Sequence, residues 1–140
     1  MVTKKAGTVL INIENRQVAL IFRKDGNGLE FPKGHWEEKE TLQECAIRET
    51  EEETGRKNHL LSEKEVEIVK YITSKGEDVE LYFYIAIDDG PTDKIIANED
   101  KEKWKFVDIE NVEQELNFNN LIQFWNKIKG QVIEIIESNI

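Results

Sequence analysis

The chain has 140 residues, 39% hydrophobic and 34% charged, a composition typical of a single globular domain spanning residues 1–140. Its formal net charge of −10 disfavours duplex nucleic acid as a partner, because binding to phosphate backbones requires a basic surface. No apolar run approaches the roughly 20 residues of a membrane-spanning helix, and the N-terminal segment lacks the features of a signal peptide, so we expect no membrane association.

Three β-strands separated by polar turns are predicted in the first part of the chain. Short runs of branched and aromatic residues indicate the strands, and clusters of Gly, Asn and Asp indicate the turns. The predicted strands are residues 6–13, 17–23 and 29–31, and the turns are residues 14–16 and 24–28.

A helix with recognisable ends follows. Thr41 and Glu44 match the capping box S/T-x-x-E, so the helix is predicted to begin at Leu42. Gly55 is a natural C-terminal stop, because glycine adopts the left-handed conformation at little cost.

One stripe of this helix combines apolar residues with carboxylates. At about 3.6 residues per turn the stripe contains Leu42, Cys45, Ala46, Glu49, Glu52 and Glu53. A cluster of glutamates is usually a solvated face, but like charges three and four residues apart repel each other, and these continue the apolar stripe. Carboxylates at the rim of a core need a counter-charge, and oxygen ligands suit Mg²⁺ or Mn²⁺. We therefore expect the three glutamates to hold divalent cations.

The second half of the chain predicts further strands. Residues 66–73, 79–87 and 104–109 have strand patterns, and residues 88–100 are predicted to form a loop. With a period of two, the strand 79–87 places Leu81, Phe83 and Ile85 on one face, and Tyr82 and Tyr84 on the other.

An amphipathic helix is predicted at the C-terminus, with Asn119 as its cap. Its apolar positions are Leu121, Ile122, Trp125, Ile128, Val132, Ile135 and Ile136. The order of elements predicts an α+β fold, an α/β/α sandwich with a mixed β-sheet between helices. The wide apolar stripe of this helix suits packing on the sheet, and a dimer would also use it, so both a monomer and a homodimer remain expectations.

The glutamate helix and the loop before it resemble the signature of the Nudix hydrolase family, G-x5-E-x7-R-E-U-x-E-E-x-G-U, where U is a bulky apolar residue. The seven matching residues are Gly34, Glu40, Arg48, Glu49, Glu52, Glu53 and Gly55. Thr50 and Arg56 occupy the two U positions. Because those positions serve packing, the departures leave the chemistry of the signature intact. The signature covers residues 34–56, and the strand order around it also resembles the Nudix fold.

The resemblance implies metal-dependent hydrolysis of a nucleoside diphosphate linked to another moiety, with Mg²⁺ or Mn²⁺ as cofactor. Such a metal neutralises phosphate oxygens and lowers the pKa of a bound water. Glu52 and Glu53 are the implied metal ligands, with Glu52 also a catalytic candidate, and Glu49 is either a ligand or the general base.

Other residues of the signature have implied supporting roles. Arg48 would orient a catalytic glutamate, and Glu40 would support the loop or the start of the helix. Gly34 would let the backbone pass close to the metal site, where the carbonyl of Lys33 is a further candidate ligand. Gly55 ends the helix.

Two further sets of candidates come from the same resemblance. Members of the family often take an acidic ligand from a late loop, here Glu99, Asp100 or Glu102, of which Glu99 is preferred. The residues FPKGH at 31–35 resemble the same stretch of diadenosine polyphosphate hydrolases. Positive charge for polyphosphate oxygens would come from Lys33, His35 and Arg23, and a base would stack on Tyr82, Phe83 or Tyr84.

The implied substrate is a small-molecule nucleotide derivative, most closely a dinucleoside polyphosphate of the diadenosine tetraphosphate type. The alternatives are a MutT-like nucleoside triphosphate pyrophosphohydrolase and a non-catalytic nucleotide-binding regulatory module. Cys45, the single cysteine, cannot form an internal disulfide, which favours a reducing, cytoplasmic location.

Overall fold

The computed structural model describes residues 1–24, 26–94 and 103–139, and within them one mixed β-sheet lies between helices. The strands are β1 Val2–Asn12, β2 Gln17–Phe22, β3 Leu29–Glu30, β4 Lys33–His35, β5 Arg56–Leu60, β6 Glu67–Ile72, β7 Asp78–Pro91 and β8 Trp104–Asp108. The helices are α1 Leu42–Thr54, α2 Val112–Glu115 and α3 Asn119–Glu137, with a 3₁₀ turn at Ile109–Asn111.

Strands β1 and β7 form the middle of the sheet. They pair in parallel from Val2 opposite Asp78 to Ile11 opposite Ile87. Strands β2 and β4 pair antiparallel with β1, strands β5 and β6 pair antiparallel with β7, and β3 and β8 flank β2. The central pair therefore supports β4 directly and β3 through β2, and both β3 and β4 contribute to the site described below.

The two faces of the sheet pack against different helices, as the period of two in β7 predicted. Leu81, Phe83 and Ile85 join the larger core with α3. Tyr84 lies on the opposite face in a smaller core with Cys45 and Ala46 of α1. The predicted α+β sandwich, with a mixed sheet between helices, is thus confirmed.

The larger core is built around aromatic rings. Phe31 lies 5.6 Å from Phe83, 5.5 Å from Phe124 and 6.3 Å from Trp125, measured between ring centroids. Phe83 and Phe124 stack with their centroids 4.5 Å apart. These rings fix α3 on the sheet and also hold the segment that leads into β4.

Four local predictions were wrong or incomplete. Residues 33–35 and 56–60 form strands β4 and β5, which their polar sequences did not indicate. Residues 88–91, predicted as loop, continue β7. Phe118, without a side-chain hydrogen bond, occupies the N-cap of α3, and Asn119 is the first helical residue. Among the described residues, no helix is long and apolar enough to cross a membrane.

Candidate active site

Helix α1 has the predicted ends. The side chain of Thr41 accepts a hydrogen bond from the Glu44 N–H at 3.1 Å, and the Glu44 carboxylate accepts one from the Thr41 N–H at 2.8 Å. Gly55 adopts the left-handed conformation with φ of 69° and donates its N–H to the Glu51 carbonyl at 2.8 Å. These local contacts fix where the glutamates of the helix begin and end.

Small residues bring α1 close to the sheet. The buried residues of the helix are Cys45, Ala46, Thr50 and Thr54. Thr50 sits at the first U position of the signature, and its hydroxyl forms a buried 2.7 Å hydrogen bond with the hydroxyl of Thr8 on β1. A polar partner in the sheet therefore explains why threonine fits a packing position.

Arg56 occupies the second U position and is also satisfied by a specific partner. Its guanidinium donates to Asp88 of β7 at 2.8 and 2.6 Å, and the Asp88 side chain is 6% exposed. The same guanidinium lies 5.6 Å from the centroid of the Phe106 ring. Both departures from the signature thus serve packing and leave the glutamates untouched.

Strand β4 passes directly over the carboxylate of Glu49. A Cβ built on Gly34 would collide with the carboxylate of Glu49, most closely with Oε2. The strand itself is held on β1, where Gly34 pairs with Ala6. Glycine is needed at position 34 because any side chain would displace the Glu49 carboxylate.

Arg48 connects three glutamates of the site. Its Nε and Nη2 donate to the two oxygens of Glu40, each at 2.8 Å. Its Nη1 donates to Glu49 Oε1 at 3.1 Å and to Glu52 Oε1 at 3.2 Å. Nη2 also reaches the His35 carbonyl at 3.2 Å. The bidentate contact with Glu40 fixes the plane of the guanidinium, and that plane orients Glu49 and Glu52.

The charges of this network differ from one carboxylate to the next. The paired hydrogen bonds from Arg48 lower the pKa of Glu40 to about 2, so Glu40 stays ionised. The pKa of Arg48 is raised, chiefly by the same bonds. Burial raises the pKa of Glu49 and is opposed in part by Arg48.

Glu53 is the most strongly perturbed carboxylate. Its Oε1 accepts a hydrogen bond from the Lys33 N–H at 2.8 Å. Burial raises its pKa to about 8, and among the described residues its carboxylate forms no ion pair. A buried carboxylate without a cation is unfavourable when ionised, so a bound cation would stabilise the charged form.

The donor set fits a hard divalent cation. Glu49, Glu52 and Glu53 offer carboxylate oxygens on one helix, the ligand type that Mg²⁺ and Mn²⁺ prefer. In the described part of the chain, no three His, Cys, Asp or Glu side chains already converge closely enough to hold a metal. The three carboxylates are kept apart by their present partners. Arg48 lies between Glu49 and Glu52, and Glu53 bonds to the backbone of β4.

A cleft of about 430 Å³ lies beside these carboxylates, on the α3 side of the sheet. Its charged lining residues are Lys5, Arg23, Glu30 and Lys33. Glu30 accepts from Lys33 Nζ at 3.0 Å and from Arg23 Nη1 at 3.2 Å. Burial, followed by the charge of Lys33, lowers the pKa of Lys5. The cleft is therefore a cationic pocket in an acidic chain.

The aromatic lining of the cleft differs from the prediction. Tyr71 and Phe118 line it, with the Arg23 guanidinium 4.8 Å from the centroid of the Phe118 ring. Tyr84 is 1% exposed on the opposite face of the sheet. Tyr82 lies on that face too, with its hydroxyl on Glu80. Phe83, the third ring considered, is buried in the larger core. The structure does not bring these three rings to the cleft.

The other predicted residues fall into three groups. Arg23 and Lys33 line the cleft. His35 is not one of its lining residues; it lies opposite Lys5 of β1, where burial and the charge of Lys5 lower its pKa. Lys33 contacts Glu53 through its backbone N–H, and its carbonyl as a metal ligand stays a prediction. Glu99, Asp100 and Glu102 lie outside the described residues.

Sequence reasoning missed Lys5, Glu30, Tyr71 and Phe118. A signal existed for Lys5, because alternation along β1 places it on the face of Val9 and Ile11, where an apolar residue is expected. For the others no local pattern separates a cleft residue from an ordinary surface residue.

Comparisons with known proteins agree with this geometry. A family model, the NUDIX domain, matches residues 2–124. The chain is 34% identical over 89 residues to Nudix hydrolase 4 of Arabidopsis thaliana, a match covering 63% of this chain and 38% of that protein. It is 49% identical over 45 residues to Nudix hydrolase 16, mitochondrial, of the same plant, covering 32% of this chain and 25% of that protein. The matches therefore span well under half the length of these curated relatives.

Solved structures show the same fold. A Caenorhabditis elegans Ap4A hydrolase superimposes with a TM-score of 0.74 at 22% identity, covering 94% of this chain and 99% of that one. A binary complex of a C. elegans Ap4A hydrolase gives a TM-score of 0.75 at 20% identity, with 94% and 98% covered. A NUDIX family hydrolase of Clostridium perfringens gives 0.73 at 16% identity, with 92% and 97% covered.

Proposed function

Because the chain belongs to the Nudix family, we propose that it is a metal-dependent pyrophosphohydrolase whose substrate is a dinucleoside polyphosphate of the diadenosine tetraphosphate type. The observation that carries the proposal is that an acidic site and a cationic cleft meet at Lys33. The backbone N–H of Lys33 bonds to the glutamate site, and its side chain lines the cationic cleft. A polyphosphate needs both, a metal at the bond that is cleaved and cations along the rest of the chain.

Glu49, Glu52 and Glu53 would hold Mg²⁺ or Mn²⁺, with a ligand from Glu99 or the Lys33 carbonyl as a further part of the proposal. The metal supplies neutralisation of phosphate oxygens and a lowered pKa for water. The fit rests on Glu53, whose burial without a cationic partner favours a divalent ion.

The protein side chains divide the remaining work. Glu40 holds Arg48, and Arg48 holds Glu49 through Oε1. Glu49 has two alternative roles: if it does not bind the metal, its Oε2, which receives no hydrogen bond from Arg48, would accept a proton from the attacking water. Since burial raises the pKa of Glu49, this carboxylate is a stronger base than an exposed glutamate. Glu52, 41% exposed, is the second candidate for the base.

The choice of substrate is supported by the cleft and by the fold. Tyr71 and Phe118 offer rings for a base, and Arg23 and Lys33 offer charge for phosphates. The similarity to solved Ap4A hydrolases, at 20–22% identity, is a likeness of fold and gives only supporting weight. We propose a small nucleotide as the ligand, a cytoplasmic location, and either a monomer or a homodimer.

A panel assay tests the proposal. Purified protein would be incubated with diadenosine tetraphosphate, ADP-ribose and nucleoside triphosphates, with Mg²⁺ or Mn²⁺ present or chelated. We expect metal-dependent turnover of diadenosine tetraphosphate. Glu53→Gln should lower that turnover at least about 100-fold, more than is usual for loss of an outer-shell group. Glu38→Gln, which removes an exposed carboxylate from the loop before α1, should retain the turnover.

The same panel distinguishes the proposed function from its two alternatives. Preferred turnover of a nucleoside triphosphate would replace the proposed substrate with the MutT-like one. Binding of nucleotide without turnover of any compound would overturn the enzymatic proposal in favour of a regulatory module.

A further inference from the structure

Lys5 differs from the other cationic side chains of the cleft. It lies on β1 opposite Leu81, on the face that packs against α3, and it is half-buried. Among the described residues its ammonium forms no hydrogen bond and no ion pair, and it lies 6.0 Å from the centroid of the Tyr71 ring. A half-buried ammonium without an acceptor is unfavourable, because it has lost water without gaining a partner.

Two carboxylates, Glu77 and Glu30, act on Lys5 through their charge, but among the described residues neither bonds to its ammonium. Glu30 already bonds to Lys33 and to Arg23, so its carboxylate is engaged away from Lys5. The described lining of the cleft thus carries three cationic side chains and one carboxylate. This surplus of positive charge lies in a chain with a formal net charge of −10, so it is a local feature that suits an anionic ligand.

The position of the surplus charge suggests which part of a substrate it meets. The cleft joins the glutamate site at Lys33, whose backbone N–H bonds to Glu53, whereas the Lys5 ammonium has no contact with Glu53 among the described residues. Phosphates bound at the glutamates would therefore reach Lys33 before they reach Lys5. A substrate with two phosphates has fewer charges left for Lys5 than one with three or four.

We propose that Lys5 is a specificity-determining residue that binds the phosphates beyond Lys33 and so favours substrates with three or more consecutive phosphates over diphosphate-linked ones. This inference rests on the proposed function, since it concerns the substrate of the same site. Position 5 lies outside the signature, which covers residues 34–56.

Binding and kinetics together test the role of Lys5. Inorganic tripolyphosphate would be titrated calorimetrically into the metal-chelated protein. The hydrolysis of diadenosine tetraphosphate and of ADP-ribose would then be followed with Mg²⁺ present. Lys4→Gln is the matched control, because Lys4 is the adjacent residue on β1 and points to the opposite face, 5.9 Å from the centroid of the Tyr82 ring. It removes the same charge from the same strand.

Lys5→Gln should weaken tripolyphosphate binding and raise the KM for diadenosine tetraphosphate about tenfold, as expected for a lost hydrogen bond between charged groups. The kcat for both substrates and the KM for ADP-ribose should stay within about twofold of wild type, the size of effect expected for a group that does not touch the reacting atoms. Lys5→Arg should retain most of the affinity, and Lys4→Gln all of it. Melting temperatures would check the fold, with Lys5→Met replacing Lys5→Gln if that variant unfolds.

The failures are distinguishable. Unchanged tripolyphosphate binding in Lys5→Gln, or an equal loss in Lys4→Gln, would overturn the role of Lys5 whether or not the wild type is an enzyme. Loss of binding in Lys5→Gln alone, in a protein that hydrolyses none of the nucleotides, would support the anion site and overturn the proposed function.

Discussion

Helices α1 and α3 pack on opposite faces of the same sheet, and the two interfaces are built from different residues. Helix α3 buries large side chains, namely Leu121, Phe124, Trp125, Ile128, Val132 and Ile136. Helix α1 buries only small ones among its described contacts, Cys45, Ala46, Thr50 and Thr54. Burial of apolar area stabilises a fold in proportion to that area, so α3 contributes more to stability.

The small residues of α1 have a different consequence. They let the helix lie close to β1, where Thr50 bonds to Thr8, and they leave the rim of the interface to Glu49 and Glu53. Stability is thus concentrated on one face of the sheet, and the ionisable groups that suit catalysis lie on the other and at its edge.

The largest expected effect is on the α3 face. Trp125 is fully buried and packs against Phe31, so Trp125→Ala should lower the free energy of unfolding by about 3–5 kcal/mol. Urea unfolding would measure the change. Activity per folded molecule should fall less than in a variant that changes the glutamate site, because Trp125 does not line the cleft and reaches β4 through Phe31.

Trp125→Phe is the matched control. It keeps much of the buried ring and removes Nε1, which has no hydrogen-bond partner among the described residues. We expect it to be much less destabilising than Trp125→Ala. Equal losses in the two variants would show that ring packing is not the source of the stability of this face.

The second largest effect is a dependence of stability on pH that is caused by Glu53 on the α1 face. The pKa of Glu53 is raised from 4.5 to about 8 in the folded protein. The folded state therefore binds more protons than the unfolded state between these values, and stability must fall as pH rises through that window. In chelator, Glu53→Gln should be more stable than wild type at pH 9, by on the order of a few kcal/mol, and equal to it at pH 4.

Thermal melting across this pH range, with and without Mg²⁺, measures the effect. Glutamine keeps the oxygen that accepts from the Lys33 N–H, so the comparison isolates the charge. Mg²⁺ should stabilise the wild type at pH 8 more than the variant, because a ligand that binds the folded state stabilises it. Parallel pH profiles for the two proteins would contradict a buried, unpaired Glu53.

The contrast between the faces also explains what could be predicted from sequence. The ends of α1 were predictable because Thr41, Glu44 and Gly55 act within one turn of the helix. The faces of β7 were predictable because alternation is a local pattern. Strand β5, Arg56–Leu60, was not, because its strand conformation depends on pairing with β7 at the edge of the sheet.

The candidate site divides in the same way. The spacing of the signature located the glutamates, since they lie on one helix. It did not indicate that Arg48 would bond to Glu40 with two hydrogen bonds, nor that Lys5 and Lys33 would share a cleft, because these contacts join segments distant in the chain. For Tyr82 and Tyr84 the sequence predicted the shared face, but not the packing of that face against α1.

A third change tests the close contact at the edge of the α1 face. Gly34→Ala would push a methyl group against the Glu49 carboxylate. Because a displacement of about 1 Å in a catalytic group reduces rates up to roughly 100-fold, kcat should fall by about 10- to 100-fold. The melting temperature should stay close to that of the wild type. Unchanged kcat would mean that the position of Glu49 is not critical.

The smallest effect is expected on α3 and provides the control for Gly34. Gly130 lies on the exposed side of α3, and a Cβ there would meet no atom within 4 Å. Gly130→Ala should therefore raise the free energy of unfolding by about 0.5–1 kcal/mol, since alanine is the better helix former. Activity should not change. The same substitution would then stabilise the protein on one face of the sheet and impair catalysis on the other, and a loss of kcat in Gly130→Ala would show that the two faces are not independent.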